Sequence, residues 1–427
     1  MRRSCKDMFI IGFALFSMFF GAGNVIFPPY LGLSCGREWG LGFLCYYLAD
    51  IGLALVAMFA ILRDGGTEEI TRPLGKIPAK LLMSAIVLCI GPMLAIPRTA
   101  ATTYEMSMLP LTDGIGPVVF SVLFFLLILL LCLRESAVVD IVGKILTPAL
   151  LIGLLILVVK GVMDPIGPVP DRVLVDNVPR TGIEAGYQTM DVLAAMVFGI
   201  IVLNSAREEG HTEGKDQFRV VAGAGAVAGS ILLVVYLGLT YLGVTTSAQF
   251  DLSVQRTFLM VSIVRELMGD PGIVLFSLVV ALACITTAVA LVSSAAAYFS
   301  ELSEKKLSYP LLVVIICVFS TVVSNFGLEQ IVSIAGPILD AVYPPTLALI
   351  GAAFLRRWVP GRYPARFAAL GALAVSLLSA LRTYGIALPF LEKLPFAEVG
   401  FGWLLPALVC GAVGSLVERW TLHRDIK

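Results

Sequence analysis

Apolar positions along this chain gather into long continuous runs. An α-helix needs about 20 such residues to cross the hydrocarbon core of a bilayer at ~1.5 Å rise per residue. The first run lies at 7–30, and further runs of spanning length follow at roughly 39–62, 79–109, 117–133, 137–163, 187–206, 217–243, 271–300, 308–326, 330–354, 365–387 and 400–420. The pattern predicts an all-α polytopic protein with about twelve membrane-spanning helices. The first run, DMFIIGFALFSMFFGAGNVIFPPY, is interrupted at Gly21-Ala22-Gly23-Asn24, residues that stop a helix rather than continue it. It therefore reads as two half-helices. Backbone groups freed at membrane depth must be buried in protein or line a polar cavity, which makes the break a candidate ligand site. The competing reading is that Gly21 and Gly23 are small so that another helix can pack closely.

Composition agrees with the runs. Of 427 residues, 58% are hydrophobic and 14% charged, with a mean hydropathy of +0.94, whereas soluble domains carry about a quarter charged residues. The formal net charge of zero excludes a globally basic face for nucleic acid, and two His offer little for a metal cluster. Eight Cys stand singly with no C-x-x-C pair, so neither a disulfide framework nor a zinc site is expected. Arg2, Arg3 and Lys6 ahead of an apolar run also open like a secretory signal with a small-residue cleavage site at Gly21 to Gly23. The apolar pattern running on to Phe27 favours a span.

Charge then orients the spans. With the N-terminus in the cytoplasm, 20 of the 30 Lys and Arg fall in inside loops and eight in outside loops, with Arg98 and Lys144 within spans. This asymmetry supports twelve spans with both termini inside. Two outside stretches, 164–186 and 245–270, are longer than hairpins, and 254–268 has the amphipathic look of a helix lying along the outer surface.

The sixth span begins GIEAGYQTMD at 182–191. Polar groups at the head of a span are costly unless they face a cavity or each other, and Asp191 is thereby a functional candidate or a cap on the inner half-helix. Spans one and six each open a set of five and run in opposite directions. Interrupted helices at corresponding places in two inverted halves point to the substrate and ion site of a secondary transporter. The expected organisation is a first five-helix repeat over 1–163, a second, inverted one over 164–354, and two further helices with a tail over 355–427.

FGAGNVIFPP at 20–29, GPMLAIPR at 91–98, GYQTMD at 186–191 and SIAGPILDAVYPP at 333–345 resemble the BrnQ-type branched-chain amino acid:cation symporters over essentially the whole chain. The resemblance implies the LeuT-like fold, five spans repeated inverted plus two. It implies that the amides of Gly21, Ala22, Gly23 and Asn24 bind a substrate carboxylate, and that carbonyls around Tyr187, Gln188 and Thr189, near Asp191, bind the ammonium. Tyr104 corresponds to a Tyr that helps hold the carboxylate in related carriers. In span eight, Ala283, Thr286 and Thr287 fall where sodium-coupled carriers of this fold place one carbonyl and two hydroxyl ligands, with main-chain carbonyls of Ser17 and Phe20 as partners. A Thr in a span more often bonds back to its own helix.

Arg98 and Glu105 are seven apart on span three and are expected to pair with each other or with Asp340 in span ten, for gating or for structure. Asp50 is expected to stabilise the bundle, as are Asp140 and Lys144, which have i, i+4 spacing. The implied activity is a cation-coupled import of leucine, isoleucine and valine, with Na⁺ foremost and H⁺ the alternative, and with no cofactor. A proton-coupled carrier of other neutral amino acids and a channel are the rivals, the latter lacking a repeated pore motif or ring of charge. No paired His, clustered acids or base-activated nucleophile points to an enzyme.

Overall fold

The computed structural model describes residues 2–112, 114–133, 137–208, 211, 214–381 and 388–425. The side chains of Asp140 and Lys144, expected to pair, lie outside what is described, as do Arg134 and Arg382. Every described element is a helix, a turn or an irregular connection.

Each of the twelve apolar runs is met by helix. The first is split into α1 (Arg2–Phe19) and α2 (Ala22–Cys35), and the second into α3 (Trp39–Tyr47) and α4 (Leu53–Asp64). After a short α5 (Thr67–Thr71), the third is α6 (Lys76–Leu88) and α7 (Ala95–Thr103), followed by α8 (Pro117–Leu133) and α9 (Ala137–Met163). The sixth run is α10 (Val178–Thr189) and α11 (Asp191–Glu208), the seventh α12 (Gly214–Thr245) and the eighth the long α13 (Arg256–Leu302). The remaining spans are α14 (Tyr309–Ser324), α15 (Leu328–Leu355), α16 (Tyr363–Leu381) and, beyond the one-turn α17 (Pro389–Glu392), α18 (Leu404–Asp425). Within α13, Gly269 takes φ 66° and ψ −165° next to Pro271. A residue with positive φ cannot continue a helix, so the amphipathic piece before Gly269 is set off from the span after it.

Burial follows the small residues. A Cβ on Gly32 would lie 1.9 Å from the Thr240 carbonyl oxygen, and one on Gly243 would lie 1.8 Å from that of Pro29, so α2 and α12 touch backbone to backbone. A Cβ on Gly182 would meet the Gly42 carbonyl at 2.4 Å, and one on Gly186 would meet that of Tyr46 at 2.9 Å, which sets α10 equally close to α3. With no hydrophobic drive between helices in lipid, such close packing is what joins spans. At Gly21 the packing reading fails, because a Cβ there would find nothing nearer than Asn24 Oδ1 at 3.7 Å. Large apolar side chains on α8 and α14, among them Val118, Leu123, Leu126, Ile315, Val318 and Val322, point outward, as a lipid-facing surface requires. Trp403 and Ala407 pack with Ala372 of α16 in a small core of their own, apart from the main one.

Among the described residues two spans carry π-turns, the second at Leu48–Gly52 and the third at both Cys89–Met93 and Tyr104–Met108. Each inserts a residue into the helical repeat and turns the following side chains to another face, a device frequent at functional sites. These turns carry Asp50 and Glu105 and lead into Arg98.

Candidate functional site

Both expected breaks are present. In the first, Gly21 is extended, with φ −117° and ψ −173°, ahead of the first turn of α2. The Asn24 amide donates to the Gly21 carbonyl at 3.1 Å, and Asn24 Oδ1 accepts the Gly21 N–H at 3.3 Å. The amides of Ala22 and Gly23 meet no acceptor among the described residues, as the first turn of a helix leaves them. In the second break Met190 takes φ 68° and ψ 17° between α10 and α11. The left-handed region is strained for a residue with a Cβ, and such strain gathers at functional sites.

Side chains tie the two breaks together. Asn24 is buried, and its Nδ2 donates to Asp191 Oδ2 at 3.1 Å and to the Tyr236 hydroxyl. The Thr189 hydroxyl lies 2.7 Å from Asp50 Oδ1 and 2.5 Å from the Gly186 carbonyl. Asp50 and Asp191 are neighbours in this cluster, and two close carboxylates repel unless a proton or a cation accompanies them. Asp50 and Tyr236 are members of the site that sequence reasoning did not assign to it. For Asp50 the available signal was an acid in the middle of a span.

Arg98 belongs to the same cluster. Gly91 leaves helical geometry at φ −100° and ψ −129°, and Pro92 follows it. The helix restarts as α7, whose Arg98 amide donates to the Leu94 carbonyl at 3.2 Å. The guanidinium reaches the second break, where Nη1 donates to the Gln188 carbonyl at 2.6 Å and Nη2 to that of Thr189 at 3.5 Å. It also lies over the Phe27 ring at 5.7 Å. The expected pairing of Arg98 with Glu105 is therefore corrected. Glu105 instead accepts the Leu328 amide at 3.0 Å and the Thr257 hydroxyl at 2.7 Å, capping α15. The expected pairing with Asp340 is corrected too, since Asp340 is exposed on α15 and the charges acting on it are those of Glu184 and Arg180.

A cavity of about 900 Å³ opens from the breaks along α1. Of the expected substrate residues, Gly21, Ala22, Asn24, Thr189 and Asp191 line it, with Arg98 beside them, whereas Gly23 is buried against Arg98 and Phe27 and is not on the wall. Of the expected ion ligands, Ser17, Thr286 and Thr287 line it as well. Apolar wall comes from Ile90, Ala95, Ala194, Phe198 and Val289. Thr286 donates its hydroxyl hydrogen to the Ala283 carbonyl at 2.9 Å, which leaves its oxygen lone pairs for another partner. Phe20 stacks on Phe16 at 5.3 Å between ring centroids, next to the break.

Three expected residues point elsewhere. Tyr187 stacks on Tyr343 with centroids 4.2 Å apart, and Gln188 Nε2 donates to the Val332 carbonyl at 3.4 Å, so both face α15. The Tyr104 hydroxyl donates to the Ile115 carbonyl at 3.2 Å, away from the cavity. The carbonyls of 187–189 are also engaged, Tyr187 by the Met190 amide at 3.1 Å and the other two by Arg98.

At the far end of α1, His211 is held between two acids. Its Nε2 lies 3.0 Å from Asp7 Oδ2 and its Nδ1 2.5 Å from Asp216 Oδ2, joining α1 to the connection between α11 and α12. A neutral imidazole can donate to only one of them, whereas the imidazolium donates to both. Asp216 and then Asp7 raise the His211 pKa above its ordinary value near 6.5. Stability from this clamp is thus fully present below about pH 6.5 and is lost as pH rises through the raised value. Thermal unfolding of the purified protein should show this loss between mildly acidic and alkaline pH. His211→Gln should flatten the profile, and an unchanged pH profile in that variant would remove the clamp.

Two interrupted helices facing one cavity are the architecture of carriers that move a substrate with an ion. Solved structures of similar shape are found among membrane transporters. The inward-facing Mhp1 structure aligns over 98% of this chain and 91% of its own at a TM-score of 0.64 and 12% identity, and a Na⁺-coupled sialic acid symporter over 96% and 90% at 0.60 and 15%. These are LeuT-like folds, and this chain shares that fold. A family model described as branched-chain amino acid transport protein matches residues 4–421. The branched-chain amino acid permeases BrnQ of Salmonella typhimurium and Bacillus subtilis are 35% and 33% identical to it, each over 97% of this chain, and 96% and 97% of their own. The chain belongs to the branched-chain amino acid transport protein family, and it is a multi-pass membrane transport protein rather than an enzyme.

Proposed function

We propose that the chain is a secondary active symporter that imports leucine, isoleucine and valine together with a cation, most directly Na⁺, by alternating access. The observation that carries this reading is the single cavity shared by both helix breaks and by Ser17, Thr286 and Thr287. The free amides of Ala22 and Gly23 at the positive end of α2 would take the α-carboxylate. Asp191, on the cavity wall, would take the ammonium, since the carbonyls of 187–189 already have donors. The apolar wall from spans three, six and eight would take the aliphatic tail. Carbonyls at the electronegative end of α1, at Ser17 and Phe20, would join Ala283, Thr286 and Thr287 around the ion. The names of the curated relatives, branched-chain amino acid permeases, support the substrate class.

One observation favours protons as the coupling ion. The carboxyl groups of Asp50 and Asp191 are neighbours beside the cavity, where a proton could be carried as readily as a cation.

The reading includes a five-span repeat over 1–163, an inverted one over 164–354, two added spans over 355–427, and both termini in the cytoplasm of a bacterium with the protein in its inner membrane. A single cysteine replacing exposed Asp171 should then label from outside in intact cells, and one replacing exposed Lys306 should not. Substrate choice is tested by competition against labelled leucine. An apolar pocket separates aliphatic side chains by only about 1–3 kcal/mol per methylene, so isoleucine and valine should compete within roughly two orders of magnitude of leucine. Lysine and glutamate, which would bury a charge without a partner, should hardly compete. Strong competition by either would defeat the proposed pocket.

A further inference from the structure

We infer that Arg98 is the residue that reads the substrate's α-carboxylate, so that the carboxylate is held by a guanidinium as well as by the amides of α2. The inference rests on the proposed amino acid transport and deepens it.

Arg98 is 5% exposed, yet no carboxylate lies within 4.0 Å of its guanidinium among the described residues. Asp191 acts on it only at longer range, and that carboxylate is tied to Asn24. The contacts the guanidinium does make are to neutral carbonyls, those of Gln188 and Thr189. Its Nε, buried, has no partner. A guanidinium offers five N–H donors in a planar fork that fits a carboxylate, and a buried cation without an anionic contact is costly. An arriving carboxylate would supply the missing contact.

Geometry puts that anion in the right place. A Cβ built on Gly23 would come within 2.8 Å of Arg98 Nη2 and 3.1 Å of its Cζ, so the guanidinium lies directly against the first turn of α2, where the amides of Ala22 and Gly23 have no acceptor among the described residues. An anion received there meets amides on one side and the fork on the other. Arg98 also lines the cavity with Ala22 and Asp191, and Asp191 can meet the ammonium of the same zwitterion. An arginine serving only to brace the second break would need its two carbonyl contacts but no place on the cavity wall.

The test separates bracing from recognition by using two ligands that differ only in the carboxylate. Leucine and leucinol share the side chain and the amine, and leucinol carries a hydroxymethyl group where leucine carries the carboxylate. Binding of each to purified full-length protein is read by ligand-induced thermal stabilisation, for wild type and for Arg98→Gln, Arg98→Met and Arg98→Lys. Removing one charge-assisted contact should cut leucine affinity about tenfold to a hundredfold in the Gln and Met variants. Leucinol affinity should stay within about threefold, so the preference for leucine collapses. Arg98→Met keeps volume without a buried charge and supplies the reading if Arg98→Gln does not fold. Arg98→Lys keeps the charge without the fork, so its preference for leucine should fall between those of wild type and the uncharged variants. Equal losses for both ligands, or a preference unchanged in the variants that fold, would overturn the assignment. A wild-type protein that binds neither ligand would instead overturn the amino acid reading on which it rests.

Discussion

Replacing Gly23 with Leu is expected to lower uptake of leucine, isoleucine and valine together to the background of protein-free vesicles, while the protein still inserts in the membrane. Gly23 has no side chain where α2 begins, and the space a Cβ would need is already taken. The first atom would lie 2.8 Å from Arg98 Nη2 and 3.1 Å from Phe27 Cε2. The Leu side chain must then displace the guanidinium or the ring, and either movement closes the approach to the amides of Ala22 and Gly23. Since the carboxylate is common to every α-amino acid, the loss should not discriminate among substrates. Gly23→Ala, with one carbon to accommodate and a flexible arginine as its nearest neighbour, should retain partial uptake. A Gly23→Leu protein that transports normally would show that the first break does not receive the substrate.

The second large effect is expected at the ion. Thr286→Ala and Thr287→Ala should each raise the sodium concentration for half-maximal uptake by about ten- to hundredfold, the ~1.5–3 kcal/mol of a charge-assisted contact. Thr286→Ser and Thr287→Ser should be mild, because the oxygen remains. The helix bond from Thr286 to the Ala283 carbonyl uses the hydroxyl hydrogen and not the lone pairs, so back-bonding and ligation are compatible. Loss of the hydroxyl also frees the Ala283 carbonyl, which partly offsets the effect at that position. If both Ala variants keep the wild-type sodium dependence, the ion sits elsewhere, and the Asp50 and Asp191 pair becomes the place to look for a proton.

The spans were legible because apolar runs of membrane length have few other uses, and the first break because Gly21 and Gly23 announce it. The second break was legible only from its polar residues. The residue that turns the chain is Met190, a type that seldom adopts positive φ, so no pattern could name it. What sequence spacing misjudged traces to the π-turns. Residues seven apart share a face on a regular helix, which is why Arg98 and Glu105 were expected to meet. The π-turn at Tyr104–Met108 adds a residue to the repeat just where Glu105 sits, and the carboxylate faces Leu328 and Thr257 instead. Tyr104, on the same turn, is carried away from the cavity. The π-turn at Leu48–Gly52 has the opposite outcome, bringing Asp50 to Thr189 and converting an expected bundle contact into a member of the site. Long-range partners such as Asn24 with Tyr236 come from the packing of α2 on α12 and have no local signature.

Coupled transport is tested most directly by labelled leucine uptake into liposomes holding only the purified protein, with sodium, proton and electrical gradients imposed one at a time. An inward sodium gradient should drive leucine above its equilibrium distribution and collapse of that gradient should release it, whereas uptake that only equilibrates under every gradient would contradict a symporter.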